Sequence, residues 1–185
     1  GVDGPAEIIE IVRDEVKLEE QAAKSRIIEV PDEKNQMVKV GVIELPVFYL
    51  DFNGRAQNLP DYRSSTRDVK KLIEEMKAQD IKGLIVDLRN NGGGSLLEAT
   101  TLTGLFIDEG PIVQVRNSSG RISTEEDTDP GQAWDSPLAV LVNRYSASAS
   151  EIFAAAIQDY GRGLIIGETT FGKGTVQNLV DLDDY

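Results

Sequence analysis

Polar and apolar positions alternate from Val38 to Val42, with Val38, Val40 and Val42 on one face, and the run stops at Pro46. This predicts a strand over 36–45. Farther on the period changes. Val69, Leu72, Ile73 and Met76 recur at helical spacing behind Ser64, Ser65 and Asp68, so a helix starts there. Residues 81–87 carry the unbroken run Leu84-Ile85-Val86, as expected of a strand inside a parallel sheet. The glycine-rich stretch Arg89-Asn90-Asn91-Gly92-Gly93-Gly94 interrupts the pattern, and a helix follows from Ser95 to about Phe106. Strands are predicted at 112–115, 138–142 and 164–166, with another near 175–182, and a helix at 148–158. Strand and helix alternate through the second half, which implies βαβ crossovers and a mostly parallel sheet. Earlier segments are less regular. Residues 7–12 read as a strand, 13–14 as a turn, 19–26 as helix formers and 53–63 as a polar loop. The polar segment 22–35, with Pro31 inside it, is the weakest point and a candidate boundary.

Length and composition set the class. A chain of 185 residues with 40% hydrophobic and 28% charged positions supports one packed domain, with room for a fragment of a second. Its apolar runs are strand-sized, shorter than a bilayer crossing requires. The start, Gly1-Val2-Asp3-Gly4, carries no charged-then-apolar leader, which leaves the compartment open. A formal net charge of −13, without a basic stripe, argues against nucleic acid as a partner. The acidic stretch at 125–131 lacks the glycine and distal glutamate of a calcium loop and is expected to be a solvated surface loop.

The chain has no histidine and no cysteine, and this sharpens the chemistry. Histidine-based and thiolate-based metal motifs are absent, and a reactive serine would have to find a base other than imidazole. Lysine is the remaining candidate, and serine–lysine pairs are a recognised variant of acyl-transfer sites. Ser146-Ala147-Ser148-Ala149-Ser150-Glu151 opens a predicted helix, with Ser148 and Glu151 at the spacing of a capping box. One reading makes Ser148 a helix cap. The other places a serine hydroxyl beside unpaired N–H groups and the positive end of the helix dipole, where an oxyanion is stabilised, while Ser146 or Ser150 takes over the local bonding.

Lys173 sits in Gly172-Lys173-Gly174. The stretch 167–174 comes within one residue of a phosphate-binding loop, but Gly174 stands where Ser or Thr must hold magnesium, and the following residues look strand-like. A turn lysine on the surface is the plain alternative. As a general base Lys173 requires an uncharged amine, hence desolvation or a positive neighbour, with Phe171 and Val176 as candidate apolar cover. Gln177 could orient that amine without adding charge, provided the chain bends at Gly172 or Gly174. In the glycine loop, N–H groups of Gly93 and Gly94 are candidate oxyanion donors, with Ala149 supplying the other half; a plain tight turn is the competing reading.

These blocks resemble the carboxyl-terminal processing peptidases, especially the bacterial tail-specific proteases. The resemblance rests on residues 146–156, on Gln158-Asp159-Tyr160-Gly161-Arg162, on Gly167-Glu168, on the stretch from Phe171 to Gln177, and on Val86 to Gly94. Leu105-Phe106-Ile107 and 110–115 fit as well. It implies an α/β, crotonase/Clp-protease-like core with a mostly parallel sheet, and a serine endopeptidase that cleaves proteins near their C-terminus. The family's spacing of 25 residues between serine and lysine points to Ser148 as nucleophile and Lys173 as base. Gln177 matches the third member of a triad in some relatives, and Asp159 an auxiliary aspartate in others, with a helix-end role as its alternative. Thr169 and Gly92 depart from positions often occupied by proline.

The resemblance further implies that residues 1–30 are the end of a PDZ-like module and linker, and that 31–185 are a catalytic core cut short. Expected partners are polypeptides with apolar C-terminal ends, with envelope association through missing parts, in a bacterial periplasm or cell envelope. No cofactor and no metal is implied. Two other readings remain at this point: a non-catalytic peptide-binding or assembly module on the same fold, and a nucleotide binder at 167–174.

Overall fold

The computed structural model describes residues 21–177. The strand expected at 7–12 lies outside these residues, as does most of the one expected near 175–182; residues 175–177 have no regular structure.

Among the described residues the main sheet has five strands in the order β1-β2-β3-β6-β7: β1 (Lys24–Pro31), β2 (Met37–Glu44), β3 (Gly83–Asp87), β6 (Leu138–Val142) and β7 (Leu164–Gly167). Strands β2, β3, β6 and β7 run parallel, and β1 closes one edge antiparallel. The crossovers carry α2 (Ser65–Lys77), α3 (Leu96–Gly104) and α4 (Ala149–Asp159), and the short α1 (Phe52–Ala56) precedes them. Between α3 and β6 the chain makes a separate hairpin, β4 (Gly110–Arg116) and β5 (Ile122–Asp127). The fold is α/β with a mixed, mostly parallel sheet.

Local chemistry accounts for these elements. Ser64 caps α2 by accepting from the Arg67 N–H, and Val69, Ile73 and Met76 fall on the buried face that the 3.6-residue spacing predicts. That face lies close on β2 because Gly41 has no side chain; a Cβ there would come within 2.7 Å of Met76 Sδ. Strands β3 and β6 are buried on alternate or successive residues, Leu84, Val86, Leu138 and Val140 among them. Phe48, Phe106 and Phe153 are fully buried at the centre; the Phe106 and Phe153 rings meet edge-on at 5.6 Å. Each such side chain contributes about 1.5–3 kcal/mol relative to exposure.

Three differences from the sequence reading have physical causes. Residues 24–31, expected partly among the helix formers at 19–26 and partly in the polar segment 22–35, instead pair along their length with β2 as a strand of the main sheet. An edge strand half open to water needs no apolar alternation. The acidic stretch expected as loop contributes Glu125, Glu126 and Asp127 to β5, an almost wholly exposed strand. Residues 52–56 form α1, capped by Asp51, within what reads as polar loop.

The parallel strands end together. Loop 45–48 leaves β2, loop 88–95 leaves β3 and loop 143–148 leaves β6 at the same sheet end, where crevices form in open α/β sheets.

Candidate active site

The three serines of loop 143–150 have different surroundings. Ser146 is fully buried; its hydroxyl donates to Leu88 O at 2.8 Å and accepts from the Asn143 N–H at 2.9 Å. Ser150 is also fully buried, and its hydroxyl donates to Asn91 O at 2.9 Å. Ser148 is half-buried and forms a capping box with Glu151, its hydroxyl facing the Glu151 N–H. The other half of the box is the Glu151 carboxylate, which accepts from the Ser148 N–H at 2.8 Å. The two flanking serines thus tie the turn to neighbouring segments, whereas the middle hydroxyl is tied to none of them.

Ser148 also has an unusual backbone, with φ 57° and ψ −114°. Side chains with a Cβ rarely adopt this region, which costs about 1–3 kcal/mol and is characteristic of functional positions. The twist lifts Ser148 at the head of α4, whose first N–H groups lack partners within the helix. Among the described residues the Ala149 N–H has no backbone acceptor outside the helix ladder.

The glycine loop packs directly against this turn. A Cβ on Gly93 would lie 2.8 Å from Ser148 Cβ and 3.1 Å from Ala149 N, and Gly93 has φ +107°, so only glycine fits. Its N–H, one of the expected oxyanion donors, is already committed to Asn91 Oδ1 at 2.8 Å. The neighbouring Gly94 lines the cleft beside Ser148 and Ala149, and its N–H has no acceptor among the described residues. Gly94 and Ala149 thus both line the cleft with amides that have no acceptor outside the helix ladder among the described residues, whereas Gly93 is the close-packed member of the loop with its amide bonded.

Lys173 and Gln177 line the same cleft of about 200 Å³ as Ser148, together with Leu96, Ile152 and Val176. Residues 171–177 have no regular structure and are exposed. Two features fasten them to the serine loop. The Phe171 N–H donates to Ser146 O at 3.0 Å. The Glu151 carboxylate accepts from the Gly172 N–H at 2.6 Å and the Lys173 N–H at 2.9 Å while still holding Ser148. Burial pushes the Glu151 carboxyl upward, but the bonds from the Gly172 N–H, the Thr170 hydroxyl and the N–H groups of Ser148 and Lys173 outweigh it. The group is held below the usual carboxylate range. The expected apolar cover over the lysine is missing: Phe171 is 66% exposed and Val176 50%.

Asp159 is not brought into the cleft. It is exposed at the far end of α4, about 15 Å along the helix axis from Ala149. The phosphate-loop pattern at 167–174 is likewise not supported, because no helix follows Lys173 through Gln177. Among the described residues no three His, Cys, Asp or Glu side chains gather as a metal site.

On the other side of Ser148 and Lys173 an apolar groove of about 380 Å³ runs between β4 and α4, lined by Ile112, Val113, Ile152 and Ala155. Sequence reasoning gave no role to these residues, nor to Asn91. The groove arises from a hairpin folding onto a helix distant in sequence, which no local pattern announces.

Comparison with known proteins agrees with this geometry. The chain is 51% identical over 180 residues to a tail-specific protease of Haemophilus influenzae, covering 97% of this chain and 23% of that protein. It is 43% identical over 119 residues to a carboxyl-terminal-processing protease of Synechocystis, covering 64% of this chain and 27% of that protein. Among solved structures it resembles a photosystem II D1 C-terminal processing protease, with a TM-score of 0.70 and 32% identity over 88% of this chain and 40% of the other. The chain therefore spans about a quarter of the length of these sequence relatives. Residues 39–185 match the family model described as peptidase family S41. With the serine turn, glycine loop and lysine segment converging on one cleft, and with these similarities over nearly its whole length, the chain belongs to peptidase family S41.

Proposed function

We propose that this chain is the catalytic core of a carboxyl-terminal processing serine protease acting through an acyl-enzyme on Ser148. The observation that carries the reading is the contrast among the serines. Ser148 alone of the three has a hydroxyl tied to no neighbouring loop, and it lies beside Ala149 and Gly94 in one cleft with Lys173.

Lys173 removes the proton from Ser148 Oγ as that oxygen bonds to the scissile carbonyl carbon. The carbonyl oxygen takes up the electron pair and is held by the Gly94 and Ala149 N–H groups. Collapse breaks the C–N bond, and Lys173 returns its proton to the departing amine. Water then repeats the sequence on the ester and frees Ser148. Gln177 orients the lysine. A polypeptide lying in the cleft excludes water from the exposed amine and so favours its uncharged form.

The remaining parts of the reading follow the family. The core is of the crotonase/Clp-protease type, and residues 1–30 contain the end of a PDZ-like module. Substrates are polypeptides with apolar C-terminal ends, and the setting is a bacterial periplasm or cell envelope. The groove of Ile112, Val113, Ile152 and Ala155 next to Ser148 supports an apolar substrate.

The test is acylation of Ser148 by an activated aryl ester, read by mass spectrometry, alongside cleavage of a peptide with an apolar C-terminus. Both are expected in the wild type. Both should vanish in Ser148→Ala and Lys173→Ala, with unchanged melting. Peptide binding with no acylation of the wild type would favour the non-catalytic module instead.

A further inference from the structure

We infer that Asn91 is a positioning residue that sets the oxyanion site, an assignment that rests on the hydrolase reading above. Asn91 has no exposed surface, and each of its polar groups is bound. Its Nδ2 donates to Leu45 O at 2.8 Å, at the end of β2. Its Oδ1 accepts from the Gly93 N–H at 2.8 Å. Its backbone oxygen accepts from the Ala147 N–H at 3.0 Å and from the Ser150 hydroxyl at 2.9 Å, on either side of Ser148. Its own N–H returns to Leu88 O at 3.1 Å.

A buried amide side chain is costly unless fully bonded, and an apolar residue would fill the same space without that demand. What the amide adds is direction. Oδ1 draws the Gly93 N–H away from the cleft and fixes the peptide leading into Gly94. The cleft therefore receives one defined amide, from Gly94, opposite the Ala149 N–H. The backbone oxygen meanwhile locks the residues flanking Ser148 to the same loop. One residue sets the separation between nucleophile and oxyanion donor, a quantity to which rates are sensitive at the level of about 1 Å. Asn91 touches no reacting atom; it acts through Gly94 and the Ser148 turn.

The experiment compares wild type, Asn91→Ala, Asn91→Asp and Ser150→Ala in the full chain. Turnover of a peptide with an apolar C-terminus is measured together with affinity for a peptide aldehyde, whose hemiacetal on Ser148 presents the same oxyanion. Asn91→Ala is expected to lower kcat about 10²-fold with KM little changed, and to weaken aldehyde binding by a similar factor. Asn91→Asp keeps an acceptor for the Gly93 N–H but loses the donor to Leu45 O, so it is expected to cost stability while its folded fraction recovers part of both. Ser150→Ala removes only the lock on the Asn91 carbonyl and is expected to give a smaller loss of the same kind. Should the Asn91 variants not fold, Ser150→Ala carries the test. Wild-type kcat and aldehyde affinity in the folded variants overturn the assignment, as do losses that follow the unfolded fraction alone. A wild type that neither cleaves the peptide nor acylates at Ser148 overturns the hydrolase reading, and this assignment with it.

Discussion

The two halves of the cleft are built differently. The serine turn and glycine loop are interlocked through buried groups: Ser146, Ser150 and Asn91 are fully inaccessible, and each is hydrogen-bonded to a neighbouring loop. The lysine segment 171–177 is exposed, without regular structure, and fastened at Phe171 and through the Glu151 carboxylate. The difference teaches where rigidity is required. On the proposed mechanism an oxyanion site must be preorganised to the hydrogen-bond length, whereas a base on a long flexible side chain can be set in place as substrate binds.

The strongest challenge to the contrast is removal of one reacting group from each half. Ser148→Ala and Lys173→Ala are both expected to lower kcat/KM by about 10⁴-fold or more, by nearly the same factor, because the two act as a unit. A much milder loss for Lys173→Ala in peptide cleavage would separate the halves and remove the lysine from the mechanism. Gly93→Ala strikes the rigid half alone. The new Cβ would meet Ala147 O and Ser148 Cβ at 2.8 Å on a backbone with φ +107°, so stability is expected to fall by about 2–3 kcal/mol with activity lost. Denaturant titration reads the first and peptide cleavage the second.

Glu151→Gln tests the fastening of the looser half. One neutral amide oxygen cannot replace a carboxylate that accepts from Ser148, Gly172 and Lys173, and a loss of about 1–2 kcal/mol is expected, with faster proteolysis at 170–174. The sign of the pH effect follows from the depressed Glu151 carboxyl. Its contribution is complete above the ordinary value of 4.5 and is lost as pH falls below that value through the folded-state value. Wild type should therefore lose stability on acidification below about 4.5 more steeply than Glu151→Gln, as melting temperatures against pH would show. The smallest effect belongs to Gly92. It is exposed, and a Cβ there would meet nothing within 4 Å, so Gly92→Ala is expected to raise stability by about 0.4–1 kcal/mol without changing kcat.

The sequence disclosed what periodicity and residue type can carry. The strands β2, β3 and β6 and the helices α2 and α4 stand where apolar spacing puts them, because their faces are buried; β7 was legible from its apolar run although most of it is exposed. Strands β1 and β5 were hidden because both lie at open edges, β1 half open to water and β5 almost wholly so. The serine, lysine and glutamine that line one cleft were legible as residue types missing their usual partner, histidine. That the Gly93 amide is bonded was not legible, since it depends on which amide a buried asparagine takes up. Nor was the exposure of Lys173, which depends on how Phe171 and Val176 point.

The backbone twist at Ser148 ties reactivity to endurance. Alanine at this position keeps a Cβ and inherits the left-handed φ, so deleting the hydroxyl alone brings no relief. Glycine would relax the turn, yielding an enzyme that is dead yet melts higher by about 1–2 kcal/mol of regained stability. On the proposed mechanism, natural drift toward robustness at this one site therefore runs directly against retention of the nucleophile.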